Sequence, residues 1–237
     1  MTTATETHEL IPAWEYVADT VMGGVSTGGR QVETYKGRTA TVLRGNVSLE
    51  HNGGFVQIAA DLNADGSSYD TSSWDGFELT VCGNNAAYDF RLRTDALSHP
   101  WQSFRTDFVA LFKWRTVRLP FANVTPHKTD AKFEAARLRR IGILAIGSEM
   151  QAEIAVAAVH LYRGKVQTKL DPIPDAYRSE IIEMALSDHV SFDDIKREYG
   201  LAEKQVKALM RDTLKPGSYR AWRKRVRNIS DRRALYK

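Results

Sequence analysis

One acid stands out by its neighbours. Asp19 precedes the run Met22-Gly23-Gly24, with Ser26 just beyond, and a second double glycine recurs in Asn52-Gly53-Gly54-Phe55. A carboxylate in that place is expected to accept N–H hydrogen bonds from the Met22-Gly23-Gly24 turn, a structural role. Catalysis would need a second acid or base brought beside it by the fold. Each double glycine lies beside bulky apolar residues and next to a strand-like run, so each is expected to give the backbone a conformation closed to residues with a Cβ.

The other chemistry-bearing residues are scattered. The stretch from Met22 to Gly29 is glycine-rich but lacks the Gly-Lys-Ser/Thr of a phosphate loop. The six histidines show no paired spacing for a metal, and although Gly24-Val25-Ser26-Thr27-Gly28 has the G-x-S-x-G spacing of a nucleophile elbow, no helix signal follows it. Cys82 is the single cysteine, which excludes an internal disulfide framework; its apolar run Phe77–Cys82 makes it a structural side chain. Trp74, Trp101 and Trp114 are candidates for a sugar-stacking platform, although Trp114 heads a strongly alternating run and is expected in the core. No catalytic residue, metal or cofactor is expected.

Cations concentrate at the far end. Residues 1–170 carry 18 basic and 18 acidic side chains, whereas the last 23 residues carry 9 basic ones against Asp231 alone. Such a tail seeks phosphate or an acidic partner. Within it Arg220, Arg223, Lys224, Arg225 and Arg227 are interleaved with Tyr219 and Trp222, a mixture suited to phosphate pairing with stacking. The bland alternative docks Tyr219 and Trp222 onto the preceding helices. Upstream, Ile195, Gly200, Val206 and Leu209 have helix-turn-helix spacing, which exposes Glu203, Lys204, Lys207, Ala208 and Arg211 on the second helix of the pair.

The elements that position these residues fall into two classes. From Trp14 to Tyr162 short runs alternate with period two between turn clusters. The clearest are 41–50, 55–62, 76–82, 88–94, 103–108, 116–121, 141–146 and 153–162. Tyr88, Phe90 and Leu92 should face inward and Asp89, Arg91 and Arg93 outward; Val117, Leu119 and Phe121 should also face inward. About eight to ten strands suggest an antiparallel sandwich. Two prolines in Asp171–Pro174 place a linker at 165–174 between a β domain, 1–164, and a helical domain, 175–237. Helices are expected over about 175–186, from Ser191 as N-cap to Gly200, over 202–213 with Lys215-Pro216-Gly217 stopping it, and from about Ser218 onward.

The run W-x-x-x-x-D-x-x-M-G-G-x-S, which starts at Trp14, is followed by G-x-V-S-L-E-x-N-G-G-F. It resembles the complex I intermediate-associated protein 30 family, and the likeness continues through Tyr88–Arg93, Trp101–Phe104 and Trp114–Phe121, over about residues 10–165. That resemblance implies a jelly roll similar to galactose-binding domains. It also implies that Trp14, Asp19, Met22, Gly23, Gly24, Ser26, Asn52, Gly53, Gly54 and Phe55 form a structural or partner-binding motif. About residues 175–230 resemble a small bacterial helix-turn-helix-like domain of unknown function. The function expected is therefore a non-enzymatic, chaperone-like assembly factor for NADH:ubiquinone oxidoreductase with a protein partner. The alternative is a nucleic-acid-binding regulator, and carbohydrate binding ranks last. Met1–His8 shows neither a basic start nor an apolar stretch for export, and no run of about 18 apolar residues occurs, so the cytosol is the expected location.

Overall fold

The structure, a computed structural model, describes residues 6–164 and 175–235, apart from residues 188, 200 and 202. The chain divides into two compact units, Met1–Val166 and Gln167–Lys237. The stretch read as a linker, 165–174, lies outside the described residues, as does Gly200.

Among the described residues, twelve antiparallel strands build the first unit: β1 Glu6–Leu10, β2 Glu15–Ala18, β3 Thr27–Tyr35, β4 Arg38–Val47, β5 Phe55–Asp61, β6 Gly76–Gly83, β7 Ala86–Thr94, β8 Ser103–Ala110, β9 Arg115–Pro120, β10 Thr125–His127, β11 Leu138–Ile146 and β12 Met150–Arg163. They form two six-stranded sheets. One has the order β3-β4-β12-β6-β9, with β1 also paired to β12; the other runs β10-β8-β7-β11-β5-β2. The long β12 takes both β4 and β1 along one edge, β4 against Met150–Val156 and β1 against Val159–Arg163.

Alternation explains which side chains fill the sandwich. Phe77, Leu79 and Val81 of β6, Tyr88, Phe90 and Leu92 of β7, and Ile141, Ile143 and Ala145 of β11 are all buried in one core with Trp14. Phe121 falls in a short 3-10 turn rather than in β9, yet it still packs edge-on against Phe77. Cys82 faces the other side of its sheet, fully buried, and donates to the Phe112 carbonyl at 3.0 Å.

Four strands had no periodic signal. β1, β3 and β10 stand at sheet margins, where most of their side chains meet solvent and two-fold alternation fades; β2, also marginal, is only four residues long. Pro126 sits within edge strand β10, the place where a missing N–H costs a sheet least.

The described residues of the second unit form four helices, α1 Asp175–Leu186, α2 Phe192–Tyr199, α3 Glu203–Thr213 and α4 Pro216–Leu235. Ser191 and Asp194 cap α2 reciprocally: the Asp194 N–H donates to Ser191 Oγ at 3.1 Å, and the Ser191 N–H returns to Asp194 Oδ2 at 2.9 Å. Ile195, Val206 and Leu209 are buried together with Ile181 and Met210, so the helix-turn-helix spacing does pack its helices. Helix α3 ends at Thr213, before Lys215-Pro216-Gly217 as expected, and Pro216 itself opens α4, ahead of Ser218, because a proline in the first helical turn gives up no hydrogen bond. No helix among the described residues is long and apolar enough to cross a membrane.

Trp222 belongs to this core, 3% exposed, with its Nε1 donating to the Ala185 carbonyl at 2.7 Å. Truncation to alanine removes that bond and leaves a large void. Trp222→Ala is therefore expected to destabilise the helical unit by about 3–5 kcal/mol, read as loss of the helical thermal transition in circular dichroism.

Candidate functional site

Asp19 opens a 3-10 turn, Asp19–Met22, that ends on Gly23 in the left-handed conformation, φ +89°. The side chain is fully buried. Its donors differ from those expected. Oδ1 accepts from the Ser26 N–H at 3.0 Å, while Oδ2 accepts from Ser26 Oγ at 2.5 Å, Gly54 N–H at 2.6 Å and Phe55 N–H at 3.3 Å. The Met22-Gly23-Gly24 turn instead closes through backbone: the Gly24 N–H meets the Asp19 carbonyl at 3.0 Å. Three residues after the turn the chain folds back onto the acid, so donors farther along the sequence reach the carboxylate first. Burial raises the Asp19 pKa, but the bonds from Ser26, Gly54 and Phe55 outweigh it and hold the group below the usual carboxylate value.

The glycines make room for this carboxylate. A Cβ on Gly24 would lie 2.4 Å from Asp19 Cγ, and one on Gly53 would lie 2.5 Å from Oδ2. Neither has a positive φ; the left-handed members of the two pairs are Gly23 and Gly54, at +89° and +132°. The Ser48 N–H donates to Ser26 Oγ at 3.0 Å, which ties in the end of β4. Trp14 packs in the core below. The two halves of the sequence motif, 35 residues apart, thus form one buried knot around Asp19.

What the knot displays is apolar. Val21 and Met22, on the 3-10 turn, are 71% and 62% exposed. With Phe55 they stand at the rim of a cleft of about 570 Å³ on the outer face of the β2-containing sheet. Its lining draws on all six strands of that sheet, with Val17, Gln57, Ala59, Gly142, Leu144 and Arg91 among the outward residues. Trp101, 54% exposed and stacked on His99 at 4.6 Å, closes another side. Arg91, expected to point outward, does so but is only 9% exposed, because Asp89 at 2.6 Å and Ser103 at 2.8 Å fix it in the cleft floor. Nothing in the alternation of β7 distinguishes such an arginine from a solvated one.

A larger hollow, about 760 Å³, lies on the opposite sheet over β3, β4 and β12. Its Arg44 is already paired to Glu33 at 2.8 Å and Glu153 at 3.2 Å, and it displays no exposed apolar side chain. The cleft is the better site.

The three tryptophans do not form a platform. Trp74 stacks with His8 and lies under Arg163, Trp114 is half-buried edge-on to Tyr35, and only Trp101 borders the cleft. Among the described residues no three His, Cys, Asp or Glu side chains gather.

In the helical unit the expected phosphate-binding residues are distributed unevenly. Lys204, Arg211, Arg220, Lys224 and Arg227 are exposed, whereas Arg223 is half-buried. Lys207 pairs with Glu203 and lies over the Phe192 ring, Arg211 lies over the Tyr219 ring, and Arg225 donates to the Leu186 carbonyl at 2.6 Å. Trp222, buried, offers no face for stacking.

Comparisons with known proteins agree with this architecture. The family model described as Complex I intermediate-associated protein 30 matches residues 4–156, and one described as Protein of unknown function (DUF2805) matches residues 179–235. No curated protein matches the chain. A Family 11 carbohydrate-binding module from Clostridium thermocellum, solved with a β-1,3-1,4-mixed-linked tetrasaccharide, superposes with TM-score 0.54 at 11% identity, covering 67% of this chain and 96% of that one. The same module family from the cellulosomal cellulase Lic26A-Cel5E of Clostridium thermocellum gives 0.54 at 9% identity, covering 70% and 97%. At such identities the likeness is one of fold: a carbohydrate-binding-module-like jelly roll. By its motif knot, its sandwich and the family match over most of its length, the chain belongs to the Complex I intermediate-associated protein 30 family, fused to a unit of the DUF2805 family.

Proposed function

We propose that this is a non-enzymatic binding protein that holds a partner protein during assembly of NADH:ubiquinone oxidoreductase, in the cytosol, as a chaperone-like factor. One observation carries the reading: a buried knot fixes a turn whose side chains, Val21 and Met22, are large, apolar and exposed at a cleft. Soluble surfaces gather such side chains mainly where another molecule covers them. The acid that the motif singles out is fully engaged by four hydrogen bonds and is not poised to move a proton. Family membership supports the choice of complex. Affinity capture from the native host tests it: wild-type chain should retain respiratory-complex intermediates, and Met22→Asp should lose at least nine-tenths of them at unchanged melting temperature. Equal retention by the variant would reject the cleft as the partner site.

The exposed cations of α3 and α4 favour a second partner for the helical unit, with nucleic acid as the reading of definite signature. About four phosphate contacts would give a log–log salt slope near −4 on duplex DNA, and Arg220→Ala, Lys224→Ala or Arg227→Ala should each reduce it by about one. Arg225→Ala should lower the melting temperature instead, since its guanidinium anchors the end of α1. Absence of binding by the full chain at low salt would leave a protein-docking helical unit.

A further inference from the structure

The cleft changes character along its length. Strand register sets Ile146 opposite Phe55 and Leu144 opposite Gln57, with Val17 across from Gln57 on the far side. Val21 and Met22 adjoin this end. Two residues along β11, Gly142 stands between Arg91 and Ala59, and two further on Arg140 stands opposite Arg93. His127, paired with Ser103, and Lys128 complete that end. One end is therefore apolar and the other cationic, across a floor of small residues.

No Asp or Glu is among the residues lining the cleft, although four cations are. Arg140 is met from the cleft margin by Glu15 and Asp61, each at 3.0 Å, and Arg91 by Asp89. Arg93 differs: its guanidinium donates to the carbonyls of His99 and Pro100, both at 3.0 Å, which are neutral acceptors. Burial and then the like charges of Arg139 and Arg140 lower its pKa. His127 is lowered too, by burial and then by Arg91, Arg105 and Lys128, against the single opposing influence of Asp89. Positive potential accumulates here faster than the local acids cancel it.

Guanidinium and ammonium groups donate hydrogen bonds and accept none. A sugar hydroxyl needs acceptors as well as donors, whereas a carboxylate is acceptor-only and is matched by arginine in strength and geometry. Along β11 from Ile146 to Arg140 the cleft spans about 20 Å, the length of some six extended residues.

We propose that the cleft takes an acidic amphipathic segment of the partner protein, laying apolar side chains over Ile146, Phe55 and Met22 and carboxylates against Arg93 and Lys128. This rests on the cleft's being the partner site. Gly142 supplies the clearest probe, because a Cβ there would meet its neighbours no closer than 3.4 Å. Gly142→Val fills the floor of the cleft without straining the strand.

The test titrates the full chain into labelled dodecapeptides with Leu and Phe in one half and Asp and Glu in the other, in both orders. Matched peptides replace the acids by Asn and Gln, or by Lys, and a mixed-linkage glucan tetrasaccharide forms a parallel arm. The acidic peptide should bind at least tenfold more tightly than its amide counterpart and the Lys version not at all. Arg93→Gln and Lys128→Gln should each weaken it at least fivefold, and Gly142→Val should abolish it at unchanged melting temperature. Equal affinity for acid and amide peptides, no peptide binding, or glucan binding lost in Gly142→Val would each overturn the acidic-segment inference. Capture from the native host separates the two levels: if Gly142→Val still loses the partner, the partner site stands and only its chemistry falls. If capture survives that substitution, both fall.

Discussion

Asp19→Asn is expected to lower the melting temperature of the β-sandwich by roughly 6–12 °C. The carboxylate receives one N–H on Oδ1 and three donors on Oδ2. An amide in its place has one oxygen, so in the better orientation the Ser26 N–H is left facing an NH2 group in a fully buried site. An unsatisfied buried donor costs about 1–3 kcal/mol, and the remaining bonds lose their charge assistance, for a total of about 3 kcal/mol. For a domain of this size each kcal/mol moves the transition by about 2–4 °C. The pH dependence carries the same signature. Because the folded-state pKa of Asp19 is depressed, its contribution is complete above the unfolded value near 4 and is lost as pH falls through the folded value. Calorimetric melts should show wild type losing stability below about pH 4 and Asp19→Asn losing measurably less over the same window. Parallel profiles would mean that the knot does not depend on the charge.

Within the β-sandwich Gly24→Val comes next in expected effect, and its cause is space rather than backbone conformation. The new Cβ would fall inside the Asp19 side chain, at 2.4 Å from Cγ and 2.8 Å from Cβ, and that side chain is held on four bonds and cannot swing aside. Overpacking of this kind costs about 3 kcal/mol. Gly54→Val should also destabilise, by about 1–3 kcal/mol, through its φ of +132°. Gly29, where a Cβ meets nothing within 4 Å, is the control, with Gly29→Val expected within about 0.5 kcal/mol of wild type. Chemical denaturation of the four proteins gives the ranking. Gly24→Val with wild-type stability and lost partner capture would make the motif itself the contact surface rather than its support.

The parts of this architecture that the sequence discloses are those set by local period. Tyr88, Phe90 and Leu92 announce β7 because each meets the core, and Ile195, Val206 and Leu209 announce a helix pair for the same reason. Strand β3 stays hidden because its side chains, at a sheet edge, mostly face water. The Asp19 knot is half legible: the acid and the glycines can be singled out, but donors 7, 35 and 36 residues away are chosen by the fold. The cleft is least legible of all. Its lining comes from outward positions of separate strands, and Arg91, Arg93 and Arg140 look like ordinary solvated charges until register sets them side by side. In the tail, Trp222 fits either a stacking face or a docked side chain by sequence, and helix packing assigns it to the core.

We propose that the knot around Asp19 serves to present Met22 to a partner across the cleft. Photocrosslinking in the native host tests it most directly, with a benzophenone side chain placed singly at Met22, Trp101 or Val32. Val32 is comparably exposed, at 61%, but stands on β3 of the other sheet. Crosslinks from positions 22 and 101 to the same component of a respiratory-complex intermediate, with none from position 32, are the predicted result. A crosslinked partner at position 32 and none at 22 and 101 would contradict it.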